Sequence, residues 1–166
     1  MNYTVEHEGR VYAEMSKEEL IANEVPLSKI GAEAKSLAIT QIAVFAESYR
    51  SKLASTSAGK LAEYRIKEEI ARDPSVADDA ELLLLDREAE AMGVDRAALL
   101  AVISAKATAF RQIALLIGVL EVEAKAAIFA IADDVDDIQA NIEAVLSASV
   151  VAAKTAFEEA QTLLNG

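Results

Sequence analysis

The chain has 166 residues, 53% of them hydrophobic, with 16 basic and 28 acidic side chains and a net charge of −12. That length buries a proper core without a disulfide or metal staple and reads as one domain. The absence of Cys and the single His7 exclude thiol catalysis, zinc–thiolate sites, His-cluster metal sites and His-based triads. The acidic surplus also argues against sequence-independent binding to nucleic acid, which draws on Lys and Arg.

Residues 1–19 show neither a basic nor an apolar leader region, so no signal or transit peptide is expected there. Tyr3, Val5, Val11 and Tyr12 flank a Glu8-Gly9 turn signal and predict a small β-hairpin over residues 2–13. Ser16 followed by Glu19 matches a capping box and opens a short helix that ends before Pro26. Residues 1–27 thus read as a docking segment and 28–166 as the helical domain.

With 34 Ala, two Pro and six Gly, the rest of the chain is built for helix. Ser28 is placed to cap a helix to about Ala54, with Ile30, Leu37, Ile42, Phe45, Tyr49 and Leu53 at helical spacing. A polar interruption at 55–60 precedes a helix carrying Leu61, Tyr64, Ile66, Ile70 and Ala71 as far as Asp73-Pro74. The next helix is expected from about Val76 to Met92, closed by Gly93 in the left-handed conformation.

Asp95 caps the longest predicted helix, Arg96 to about Ala132, where Leu99, Ile103, Lys106, Phe110, Ile113, Ile117, Leu120, Ala124, Ala127 and Ile131 recur at steps of three and four. Such a helix spans about 55 Å, which predicts an elongated molecule or assembly. Its most apolar run, residues 113–120, is far short of a membrane span. After a turn at Asp133–Asp137, Ile138, Ile142, Val145, Ser149, Ala152, Ala156, Ala160 and Leu163 mark a last helix, antiparallel to the long one. The expected fold is therefore all-α: an elongated helical bundle with a long C-terminal helical hairpin and a small N-terminal β-hairpin.

The chemistry-bearing patterns favour structural readings. The Asp133, Asp134, Asp136, Asp137 cluster lacks the glycine and closing glutamate of a calcium loop, and its place at a helix N-terminus accounts for its charge. Gly59-Lys60 lacks the earlier glycine and following hydroxyl of a phosphate loop, and no Glu-x-x-His pair supports a di-iron site. Residues 28–72 carry a local charge of +3, read as a solvated helix face or intersubunit contact. No catalytic, cofactor or metal residue is assigned.

The long helix is apolar on more than one side, because Leu100, Ala114, Leu115, Val122 and Phe129 lie off the main stripe. A partner subunit is expected to cover what the core does not, with Phe110, Ile113, Ile117, Leu120, Ile128 and Phe129 as interface candidates. Ile117 should lie in the interior, whereas Glu121, beside Glu123 and Lys125, should be a tolerant surface position.

Residues 59–74, 86–93 and 109–117 resemble accessory tail proteins of tailed bacteriophages, over about residues 59–132. The resemblance implies a non-enzymatic virion component associated with a tail or fibre, located in the virion or in host cytoplasm before assembly. Its implied partners are copies of itself, a trimer by family habit, or other virion proteins. The alternatives are a cytosolic assembly chaperone or adaptor and, further off, a helical-bundle enzyme or small-molecule binder.

Overall fold

A computed structural model describes residues 2–53 and 58–165. Strands β1 (Tyr3–His7) and β2 (Arg10–Met15) are followed by helices α1 (Lys17–Ala22), α2 (Leu27–Leu53), α3 (Ala58–Arg72), α4 (Asp79–Met92), α5 (Arg96–Ala130) and α6 (Ile138–Asn165). The fold is mostly helical, with one small antiparallel sheet at the N-terminus. It divides into two compact units, residues 1–50 with 116–156, and residues 51–115 with 157–166. The 27/28 junction therefore lies inside the first unit.

In that unit the hairpin turns at Glu8 and Gly9, both at positive φ, as the turn signal requires. Val5 pairs with Tyr12, but Tyr3 pairs with Met15, so a bulge carrying Glu14 at φ 57° lengthens β2 to Met15, beyond the predicted end at 13. Tyr3 and Val5 point into the core while Thr4 and Glu6 face solvent. Ser16 and Glu19 form the expected capping box of α1. The start of α2 differs from expectation. The Pro26 carbonyl accepts the amides of Lys29 and Ile30, so Ser28 lies inside the first turn and caps nothing.

The buried line of α2 is Ile30, Ala34, Ala38, Ile42 and Ala46, at steps of four. Alanine on this line lets neighbouring helices approach closely. Leu37, Phe45 and Tyr49 flank it half-buried, the two aromatic rings meeting edge to face at 5.0 Å. Ile30, Ala34, Ala38 and Ile42, with Leu37 packed against them, share one core with Leu20, Val25, Ala124, Ile128, Ile138 and Ile142. The start of α6 thus packs beside the end of α5 as an antiparallel hairpin. Farther along α6, Ala152 is exposed and Ala153 half-buried, so the stripe shifts by one residue.

In the second unit Ile70, Leu85, Ala89 and Leu99 form a smaller core. Pro74–Val76 makes one 3-10 turn, held by the Asp73 carboxylate on the Ser75 amide. Helix α4 starts at Asp79 rather than near Val76, because Asp78 and Glu81 form a capping box of their own. Gly93 closes α4 at φ 71°, and Asp95 accepts the Ala98 amide at 2.7 Å to open α5, both as expected. Lys67 on α3 bridges Glu63 and Glu88, and Glu68 accepts from Arg72 and Arg111. Of the expected interruption at residues 55–60, residues 55–57 lie outside the described residues, while 58–60 already belong to α3.

Candidate interaction surface

Helix α5 buries Leu99, Ala109 and Ile113 in the second unit and Ile117, Ala124 and Ile128 in the first. A helix advances about 100° per residue, so residues half a turn away stand on the opposite side. Within the first unit that opposite side carries Val119, Val122, Ala126 and Phe129, all exposed, at steps of three, four and three. Phe129 exposes 65% of its surface and Val122 67%. Leu116 flanks the line at 38% exposure. A contiguous apolar row of this kind is a feature that marks contact surfaces.

The six expected interface residues separate into two groups. Ile113, Ile117 and Ile128 are buried and Leu120 is half-buried within the chain's own fold, so they do not form an open surface. Of the three-four stripe, Leu99, Ile113, Ile117 and Ala124 are buried and Ile103, Leu120 and Ile131 half-buried, whereas Lys106, Phe110 and Ala127 are exposed, so the stripe is core only in part. Phe110, 39% exposed in the second unit, and Phe129 remain open. Of the off-stripe positions Ala114, Leu115, Val122 and Phe129 are exposed and Leu100 is half-buried. Val119 and Ala126 were missed, although counting three residues back from each of Val122 and Phe129 reaches them.

Glu121 corrects a second expectation. Its side chain is 15% exposed and accepts from Lys125 at 2.6 Å and from Arg50 on α2. Those two partners hold its carboxyl below the usual carboxylate range, and Arg50 is in turn pushed above its own. It is a tether between α2 and α5 rather than a free surface charge.

The acidic corner between α5 and α6 is also tied to the fold. Lys35 of α2, its side chain 12% exposed, donates to the carbonyls of Phe129 at 3.2 Å and Ile131 at 2.7 Å and to Asp133 Oδ1 at 2.8 Å. An ammonium has three N–H donors, and here they meet three oxygens at the negative end of a helix dipole. Lys17 binds the Asp136 carbonyl. Among the described residues no group of three or more His, Cys, Asp or Glu side chains has metal-binding geometry.

An open groove of about 580 Å³ in the second unit is lined by Ala101, Ser104, Ala105, Thr108, Ala109 and Gln112. That lining offers methyls, hydroxyls and one amide, without a titratable group to drive catalysis. Within the locally basic segment 28–72, Lys29, Lys35, Arg50, Lys67 and Arg72 each bind an oxygen of their own chain. A phosphate-binding groove draws on cations that are not so engaged.

No family model, curated protein or solved structure matches the chain. Among the described residues no helix is long and apolar enough to cross a membrane. What the molecule offers a partner is thus read from its own surface, where the outer face of α5 is an ordered apolar feature.

Proposed function

We propose that this chain is a non-enzymatic structural or assembly module that works by helix-mediated protein–protein association and, following its resemblance to accessory tail proteins, serves in the tail or fibre of a bacteriophage virion. The observation that carries the reading is the two-faced α5, with one apolar side consumed by the core and the other, Val119 to Phe129, left open. Covering an open apolar row removes surface from water at about 25 cal/mol per Å², a gain from which the cost of association is subtracted. Leu83 and Leu84 on α4, 61% and 62% exposed, add a second apolar surface in the other unit.

The test of the biological setting is mass spectrometry of virions purified from the phage that encodes the chain. Stoichiometric recovery of the chain is the expected result. Its absence from virions, with presence in the infected-cell lysate, would move it to the assembly-chaperone reading.

A further inference from the structure

We infer that the outer edge of strand β2 pairs with β2 of a second copy of this chain, antiparallel about a twofold axis through Tyr12, giving a continuous β1–β2–β2–β1 sheet across the two copies. The inference goes beyond the helix-mediated reading above and uses a different part of the surface.

The pairing within the hairpin decides which main-chain groups are open. In a two-residue hairpin the residues flanking the turn, here His7 and Arg10, exchange hydrogen bonds, and so does every second pair along the ladder, here Val5 and Tyr12. Glu6 and Val11 lie between these pairs and turn their N–H and C=O groups outward, away from each other. On the β1 side the outward carbonyl is taken, since Lys29 Nζ of α2 donates to the Glu6 oxygen at 2.9 Å. On the β2 side Val11 and Ala13 are exposed, Val11 by 67%, and among the described residues no third strand pairs there. One edge of the sheet is covered and the other is open.

The residues along the open edge select the occupant. Read antiparallel to itself about Tyr12, the run Arg10-Val11-Tyr12-Ala13-Glu14 sets Val11 opposite Ala13 and Arg10 opposite Glu14, on both sides of the axis. The backbone permits this register. Val11 and Ala13, whose groups point outward, become the hydrogen-bonded pairs, and Tyr12 meets Tyr12 at the position where opposed side chains lie closest. Among the described residues neither Arg10 nor Glu14 forms an ion pair within the chain, so both charges are available. A parallel pair in register would set Arg10 against Arg10 and Glu14 against Glu14, like charge on like.

The same geometry limits growth. Glu14, at φ 57°, bulges the strand and ends the open edge after Ala13. With each β1 edge covered by Lys29, the sheet accepts no further strand and the assembly closes as a symmetric dimer. Main-chain hydrogen bonds, rather than buried area, supply the affinity in strand addition.

The test uses the full chain carrying Phe129→Glu, which removes the α5 row from the measurement, at on the order of 100 µM protein. The chain contains no cysteine, so introduced thiols report contact without interference. Val11→Cys and Ala13→Cys chains, one with a size tag, should link on mild oxidation as the mixed dimer, because opposed residues fall within the roughly 4.4–6.8 Å Cα separation that a disulfide spans. Either variant alone is offset from its own copy by two residues along the strand and should stay unlinked. Arg10→Glu or Glu14→Arg should raise the dimer dissociation constant about tenfold in analytical ultracentrifugation, and the two changes together should restore it.

Self-links at 11 or 13 as strong as the mixed link, or a double charge reversal as weak as the single ones, would overturn the inference. So would the absence of any link, which leaves the edge to a strand of another protein. If the mixed link forms while Phe129→Glu leaves the mass of the parent's oligomers unchanged, the strand pairing stands and the helix-mediated reading falls. If Phe129→Glu lowers that mass and no link forms, the reverse holds.

Discussion

Gly31→Ala is the sharpest test of how the first unit is held together. A methyl added at residue 31 would lie 2.0 Å from the Asp133 carbonyl oxygen, 2.8 Å from its carbon and 2.8 Å from Ile138 Cδ1. Ordinary van der Waals contact begins near 3.4 Å, so α2 and the α5–α6 corner would have to part by more than 1 Å. Neither the carbonyl nor the fully packed Ile138 can swing aside as a flexible side-chain end would. Overpacking of this kind costs about 1–3 kcal/mol, sometimes more. Parting the corner also stretches the Lys35 contacts to Ile131 and Asp133, each hydrogen bond to a charged group being worth about 1.5–3 kcal/mol. Against this, replacing a helical glycine gains about 1 kcal/mol. The net loss is about 2–4 kcal/mol, which lowers the urea midpoint by about 1–2 M at the slope usual for small domains. Gly118→Ala is the control, because nothing lies within 4 Å of an added methyl there and only the helix gain of about 1 kcal/mol remains. Urea titrations followed by circular dichroism should therefore move in opposite directions for the two variants. A Gly31→Ala midpoint equal to or above that of the parent would refute the close approach of α2 to the corner.

Four further outcomes are expected. Lys35→Met keeps the aliphatic stem but leaves two carbonyls and Asp133 without their donor, and urea melts should show a loss of about 2 kcal/mol. Glu121→Lys sets a third cation beside Arg50 and Lys125 and should cost about 1–2 kcal/mol, partly recovered at 0.5 M salt; a loss under about 0.5 kcal/mol would return Glu121 to the surface. Because the Glu121 carboxyl titrates below its ordinary 4.5 when folded, its contribution is present above that pH and lost as pH falls through the folded value, so Glu121→Gln should flatten the acid limb of the stability profile. Tyr3 is 1% exposed and its hydroxyl has no hydrogen-bond partner among the described residues, so Tyr3→Phe should leave the stability unchanged or raise it by up to about 1 kcal/mol in urea melts.

Much of the fold is legible in the sequence because its signals are local. The Ser16–Glu19 box, the Glu8-Gly9 turn, Gly93 and Asp95 each act within a few residues, and each stands where its chemistry places it. Helix α4 starts at Asp79 because the capping box of Asp78 and Glu81 outweighs the apolar Val76. What local pattern does not carry is which of two apolar helix faces the chain itself consumes. Ile117 and Phe129 are both large and apolar on one helix, and their fates differ only because α2 and α6 pack against one side. Glu121 looked free for the same reason, since its partner Arg50 is 71 residues away in sequence. Gly31 gave no signal at all: its need for a missing side chain arises only where the Asp133 carbonyl arrives from 102 positions downstream.

The central claim is association through an open apolar helix face, and light scattering coupled to size-exclusion chromatography tests it most directly. The chain should elute with a mass that rises above the 17.7 kDa of one copy as concentration increases from about 1 to 300 µM, and Phe129→Glu should need at least tenfold more protein to reach the same mass. A mass fixed at 17.7 kDa across that range, for parent and variant alike, would contradict the account.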